Sequence, residues 1–85
     1  MADSTEAARF FAERVANEAV VQDQGHLPMT REGFSAEASW YRDGDVFHLL
    51  LETNGHEQAL PLTLDGPDAR GQIEQAVTQA LASLS

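Results

Sequence analysis

The sequence predicts an α+β fold: a two-layer α-β-β-β-α sandwich in which a three-stranded antiparallel meander, order 1-2-3, carries both helices on one face. Two observations predict it. Residues 34 to 64 alternate apolar and polar side chains with period two and are broken by Asp43-Gly44 and Asn54-Gly55. The flanking segments instead repeat their apolar residues every three to four positions, the helical period.

The first helix is expected over residues 4–21. Asp3 and Glu6 have capping-box spacing, with Ser4 an equivalent start. Ala8, Phe11, Val15 and Ala19 form its apolar stripe, widened by Phe10, Ala12 and Ala16. Phe10 and Phe11 are adjacent, so only one of them can point to the centre of the buried face. Residues 22–33 are expected to be a loop. Gly25 reads as a left-handed helix stop, Pro28 bars helix continuation, and Leu27 and Met29 tuck under as a satellite of the core. Twelve residues is long for such a connection, which makes the loop a candidate for function.

Strands are expected at 34–41, 46–53 and 56–64. Asn54-Gly55 is the strongest short hairpin signal in the chain. A two-residue turn there sets Thr53 opposite His56, Leu49 opposite Leu60 and Phe47 opposite Leu62. It also sets Pro61 opposite His48 in a non-hydrogen-bonded pair, so its missing N–H faces away from the sheet on an edge strand. Two tight turns centred on Asp43-Gly44 and Asn54-Gly55 would demand hydrogen bonds to opposite neighbours from the same side of the middle strand. The first connection is therefore expected to be a four-residue loop, Arg42 to Asp45, closed by Tyr41 and Val46, with a bulge in the middle strand as the alternative. Trp40 then faces Phe47, Ala38 faces Leu49 and Ala36 faces Leu51. The last helix is expected over 67–84, started by Asp65-Gly66-Pro67-Asp68 and striped by Ala69, Ile73, Ala76, Val77, Ala80, Leu81 and Leu84.

Fourteen acidic residues against five Arg and no Lys give a net charge of −9. That balance disfavours nucleic acid and anionic membranes, because both need cations on the protein. It suits a basic protein partner. The chain has no Cys, no apolar run long enough to span a bilayer, and no basic and apolar leader at Met1 to Ser4. A cytoplasmic single domain, residues 1–85, is the expectation.

No catalytic residue, cofactor-binding residue or metal ligand is expected. His26, His48 and His56 have no metal-ligand spacing, and neither a nucleophile elbow nor a phosphate loop is present. Glu52 and Glu57 face each other across the second hairpin. The outer face of the sheet is apolar at one end, where a half-buried antiparallel sheet should be polar. Tyr41, Val46, His48, Leu50, Glu52, Glu57 and Pro61 are therefore the candidate protein-interaction residues. Strand addition at an open edge is a second route.

The α-β-β-β-α order resembles that of double-stranded-RNA-binding domains. Those carry lysines at the start of the last helix, where this chain has Pro67, Asp68, Ala69, Arg70, Gly71 and Gln72, so RNA binding is not implied. In acidity, size and helix–sheet order the chain is similar to the small dimeric chaperones of type III secretion. The expected function is a small acidic protein-binding module, of the inhibitor, immunity or anti-defence kind, that covers a basic surface on its target. A dimeric chaperone or adaptor, with a homodimer through the outer sheet face, is the alternative. From another class, a small-ligand domain or enzyme subunit would use the 22–33 loop and a histidine.

Overall fold

The computed structural model describes residues 4–31, 33–53, 55–64 and 68–84. The elements run α1 (Ser4–Ala19), β1 (Gln24–Arg31), β2 (Phe34–Asp43), β3 (Val46–Thr53), β4 (His56–Thr63) and α2 (Ala69–Leu84). The four strands form one antiparallel sheet in the order β1-β2-β3-β4. The class is α+β as expected, but the sheet has four strands rather than three. Residues 24–31 are a strand, not part of a loop over 22–33. The extra strand also breaks the element order shared with double-stranded-RNA-binding domains.

The physical reason is legible in the pairing. Gly25, Leu27 and Met29 alternate with His26, Pro28 and Thr30, and they pair with Trp40, Ala38 and Ala36 of β2. Pro28 signalled a break because it lacks an N–H. At the edge of a sheet that loss costs nothing when the nitrogen points outward. Gly25 is not a helix stop either. It lies opposite Trp40, whose indole covers it so closely that a Cβ would stand 2.5 Å from Cζ2. The indole Nε1–H then donates to the Gln22 carbonyl at 3.2 Å, which fixes the ring over the start of β1.

The first strand pair of the predicted meander also needs correction. Asp43 pairs with Val46 around a two-residue turn, Gly44-Asp45, with Gly44 at φ +62°. There is no four-residue loop closed by Tyr41 and Val46. Trp40 faces Leu49, Ala38 faces Leu51 and Ala36 faces Thr53, a shift of two residues from the expected register. Because the shift is even, every side chain keeps its expected face. The turn is centred one residue later than Asp43-Gly44, and that removes the conflict between two tight turns without a bulge. At the second turn Thr53 pairs with His56, Leu49 with Leu60 and Pro61 with His48, as the sequence predicts. Asn54 itself lies outside the described residues, as do Asp65, Gly66 and Pro67 at the expected start of α2, and Asp3 before α1.

Both helices share the core with one face of the sheet. Phe11 and Val15 from α1, Ile73 and Val77 from α2, and Phe47, Leu49 and Leu51 from β3 are the largest fully buried side chains. α1 packs on β1 and β2, and α2 packs on β3 and β4. Phe11 takes the centre of its face, edge-on to Phe34 with ring centroids 6.0 Å apart, and Phe10 is left exposed between Arg14 and Arg31. Arg70 ties the helices together: Nε donates to Asn17 Oδ1 at 2.6 Å while the guanidinium pairs with Glu74 at 2.7 Å. Thr53, the one buried polar residue among those described, donates to the Ser35 carbonyl at 2.8 Å.

Replacing Gly25 with Ala should cost about 1–3 kcal/mol, because a methyl group there must displace the Trp40 ring from a packed core. Urea denaturation followed by the fluorescence of Trp40, the only tryptophan, measures it directly. A second expectation concerns the edges. Pro28 pairs with Glu37 and Pro61 with His48, both in non-hydrogen-bonded phase, so each outer edge lacks an N–H midway along its length. The double variant P28V/P61V should fold and then associate edge to edge at concentrations where the parent chain does not. Size exclusion with light scattering would show it, and an unchanged elution would mean that the prolines do not guard the edges.

Candidate functional site

The face of the sheet away from the helices is built of rows that cross all four strands. The register places Gln24, Tyr41, His48 and Pro61 in one row, and His26, Ser39, Leu50 and Ala59 in the next. Pro28, Glu37, Glu52 and Glu57 form the third. Adjacent rows are two residues apart, or about 7 Å. All seven sequence-predicted interaction residues stand at positions facing this side.

The first two rows form the apolar part. The rings of Tyr41 and His48 stack with centroids 4.5 Å apart and planes 13° from parallel. Beside the stack lies an open concavity of about 500 Å³, bordered by Tyr41, His48, Leu50, Ala59 and Pro61. Tyr41 is 53% exposed and Leu50 43%, although Leu50 sits on a central strand. An antiparallel sheet with one wet face normally places polar residues at such positions. Val46 stands apart from the concavity, one row beyond Tyr41 and His48, between Asp43 and Thr63.

The third row is acidic. Glu37 pairs with Glu52, and Glu52 pairs with Glu57, so three carboxylates occupy adjacent strands. The hydrogen bond Glu52 shares with Glu57, its desolvation, and the charges of Glu57 and Glu37 all push its carboxyl above the usual glutamate range. His26 Nε2 lies 3.6 Å from Glu37 Oε2; both side chains are more than half exposed, so the contact is weak. The five arginines give no help. Arg9 and Arg14 lie on α1 and Arg70 on α2, and Arg31 and Arg42 occupy strand positions of the opposite phase. The outer-facing strand positions thus carry Glu37, Asp43, Glu52 and Glu57 and no arginine.

The sequence placed Glu52 opposite Glu57 but set Glu37 opposite Leu50 and Tyr41 opposite Val46. The two-residue shift of register is what creates both the ring stack and the third carboxylate of the row. His26 and Pro28 join the face only because β1 is a strand. The alternation of Gly25, Leu27 and Met29 with polar residues was the signal that could have found it. Among the described residues no cluster of three or more His, Asp or Glu side chains has the geometry to hold a metal ion. His56 is the exposed first residue of β4, in the phase opposite to the outer face, and lies outside the apolar group. No helix among the described residues is long and apolar enough to cross a membrane.

Comparison with family models, with curated proteins and with solved structures returned no match.

The raised carboxyl of Glu52 sets a stability signature. A carboxyl with a higher pKa folded than unfolded favours the folded state when it is protonated, and that contribution is lost as pH rises through the folded value. Near neutral pH, Glu52→Gln should therefore be more stable than the parent. The gain should shrink as pH falls through the raised value and vanish below the ordinary 4.5, where Glu52 is neutral in both states. Urea titrations of both proteins across that range test it.

Proposed function

We propose that this protein acts by binding another protein through the bare face of its sheet, and that the bound surface of the partner is basic. The observation that carries this reading is the juxtaposition on one face of an apolar concavity and a row of three carboxylates without arginine. Exposed apolar surface on a small acidic domain is covered with gain when a partner removes it from water. A row of like charges that raises the pKa of its own central member is stabilised when a cation settles on it. One partner surface satisfies both, with an apolar centre and a basic rim. The net charge of −9 steers such a partner from a distance and speeds encounter. Masking a basic functional surface is the inhibitor-like role that fits this chemistry.

A dimeric chaperone or adaptor is the second reading, and exposed Tyr41 and Leu50 favour it. A face-to-face homodimer would cover the same concavity. It would also place eight carboxylates in one interface with no arginine from either copy, and that repulsion weighs against it.

Affinity capture with the parent chain and with Leu50→Glu, each at low and high salt, tests the reading. The captured protein should be basic, should be lost with Leu50→Glu, and should bind more weakly as salt rises from about 0.05 to about 0.5 M. Equal capture by both proteins would move the binding surface elsewhere on the molecule.

A further inference from the structure

The rows of the outer face are ordered, and the order constrains what can lie on it. The concavity occupies the rows of Tyr41, His48 and Pro61 and of Leu50 and Ala59. The carboxylates of Glu37, Glu52 and Glu57 follow in the next row on the same side. From the middle of the concavity to the acidic row is one to one and a half rows, about 7–10 Å. An extended chain covers that distance in two or three residues. The edges of the sheet are poorer sites for such a chain, because Pro28 and Pro61 interrupt the row of outward N–H groups on each.

We propose that the site takes a short segment of a basic protein that presents one aliphatic or aromatic side chain to the concavity and, two or three residues away, an arginine or lysine to the row of Glu37, Glu52 and Glu57. The proposal rests on the reading of the outer face as a protein-binding surface and adds the chemistry and spacing of its occupant. The anchor is held by removal of Leu50, Ala59 and Pro61 from water and by the face of the Tyr41–His48 stack. An arginine suits the acidic row better than a lysine. Its planar fork can donate to carboxylates on two adjacent strands together, and neighbouring strands are only about 5 Å apart. A second copy of this chain, docked face to face, does not meet the requirement. Its own outer face offers no arginine, and its five arginines are distributed over the helices and the opposite strand phase.

Panning a random twelve-residue peptide library on the whole protein, with the triple variant E37Q/E52Q/E57Q as a parallel target, tests this. Enriched peptides should share an aliphatic or aromatic residue two or three positions from Arg or Lys. Synthetic peptides from that set should bind the triple variant about tenfold more weakly, the loss expected when two or three partly exposed ion pairs are removed together. Leu50→Ser should weaken them by a similar factor, and replacing the triplet should abolish most of the salt dependence. Removing like charges favours folding, so the triple variant stays folded for the comparison, which circular dichroism checks. Enrichment of peptides without a basic residue, equal binding to the triple variant, or no enrichment at all would overturn the proposal. So would a dimer in light scattering that dissociates with Leu50→Ser. A natural partner that is captured through Leu50 but ignores both salt and the triple variant would leave the sheet-face reading standing and remove this one.

Discussion

The structure depends on the phase of backbone hydrogen bonding across three successive two-residue turns. A two-residue turn makes its flanking residues a hydrogen-bonded pair, so a strand between two such turns must direct its first and last residues to opposite neighbours. Only a strand with an even number of residues does this. β1, β2, β3 and β4 have 8, 10, 8 and 8 residues. The phase continues past the strand ends: Arg42 N–H reaches the Asp23 carbonyl at 2.8 Å, and Leu64 N–H reaches the Asp45 carbonyl at 3.3 Å. Gly33, Gly44 and Gly55, at φ +87°, +62° and +78°, supply the left-handed backbone that these turns need.

From that phase follow both faces. It sends Phe47, Leu49 and Leu51 inward under the helices and leaves His48, Leu50 and Glu52 outward on the same strand. It also puts both edge prolines where their missing donors cost nothing. Each edge of the sheet is thereby interrupted by one missing donor while one face stays open, and that face is where apolar surface and unbalanced charge coincide. Shape and electrostatics lead to the same surface from independent observations, one of exposure and one of charge placement.

Much of this was legible in the residues. Period-two alternation located β2 and β4, the two turn signals bounded β3, and the Asn54-Gly55 signal with Pro61 gave the β3–β4 register residue for residue. Phase alone placed the seven candidate residues on the outer face, and phase survived an error of two in the β2–β3 register. What the sequence hid were the neighbours across that pair, because Asp43-Gly44 and Gly44-Asp45 are both plausible turn centres and differ by one residue. The Tyr41–His48 stack and the position of Glu37 beside Glu52 depend on that choice. β1 was hidden for a different reason. Proline and glycine are breakers inside a helix or a central strand, yet at an edge Pro28 faces solvent and Gly25 makes room for Trp40. Local preference gave way to tertiary context at both residues.

The helix clip has a consequence for how the chain assembles. Each hairpin joins neighbours in sequence, so strand pairing requires only short loops to close, and the entropic cost of each closure is small. The Arg70–Asn17 contact is of another kind, spanning 53 residues and joining the first helix to the last. A meander can therefore zip up locally, but its apolar face is fully covered only when both helices lie on it. A dry core therefore requires both helices in place, because α1 covers β1 and β2 while α2 covers β3 and β4.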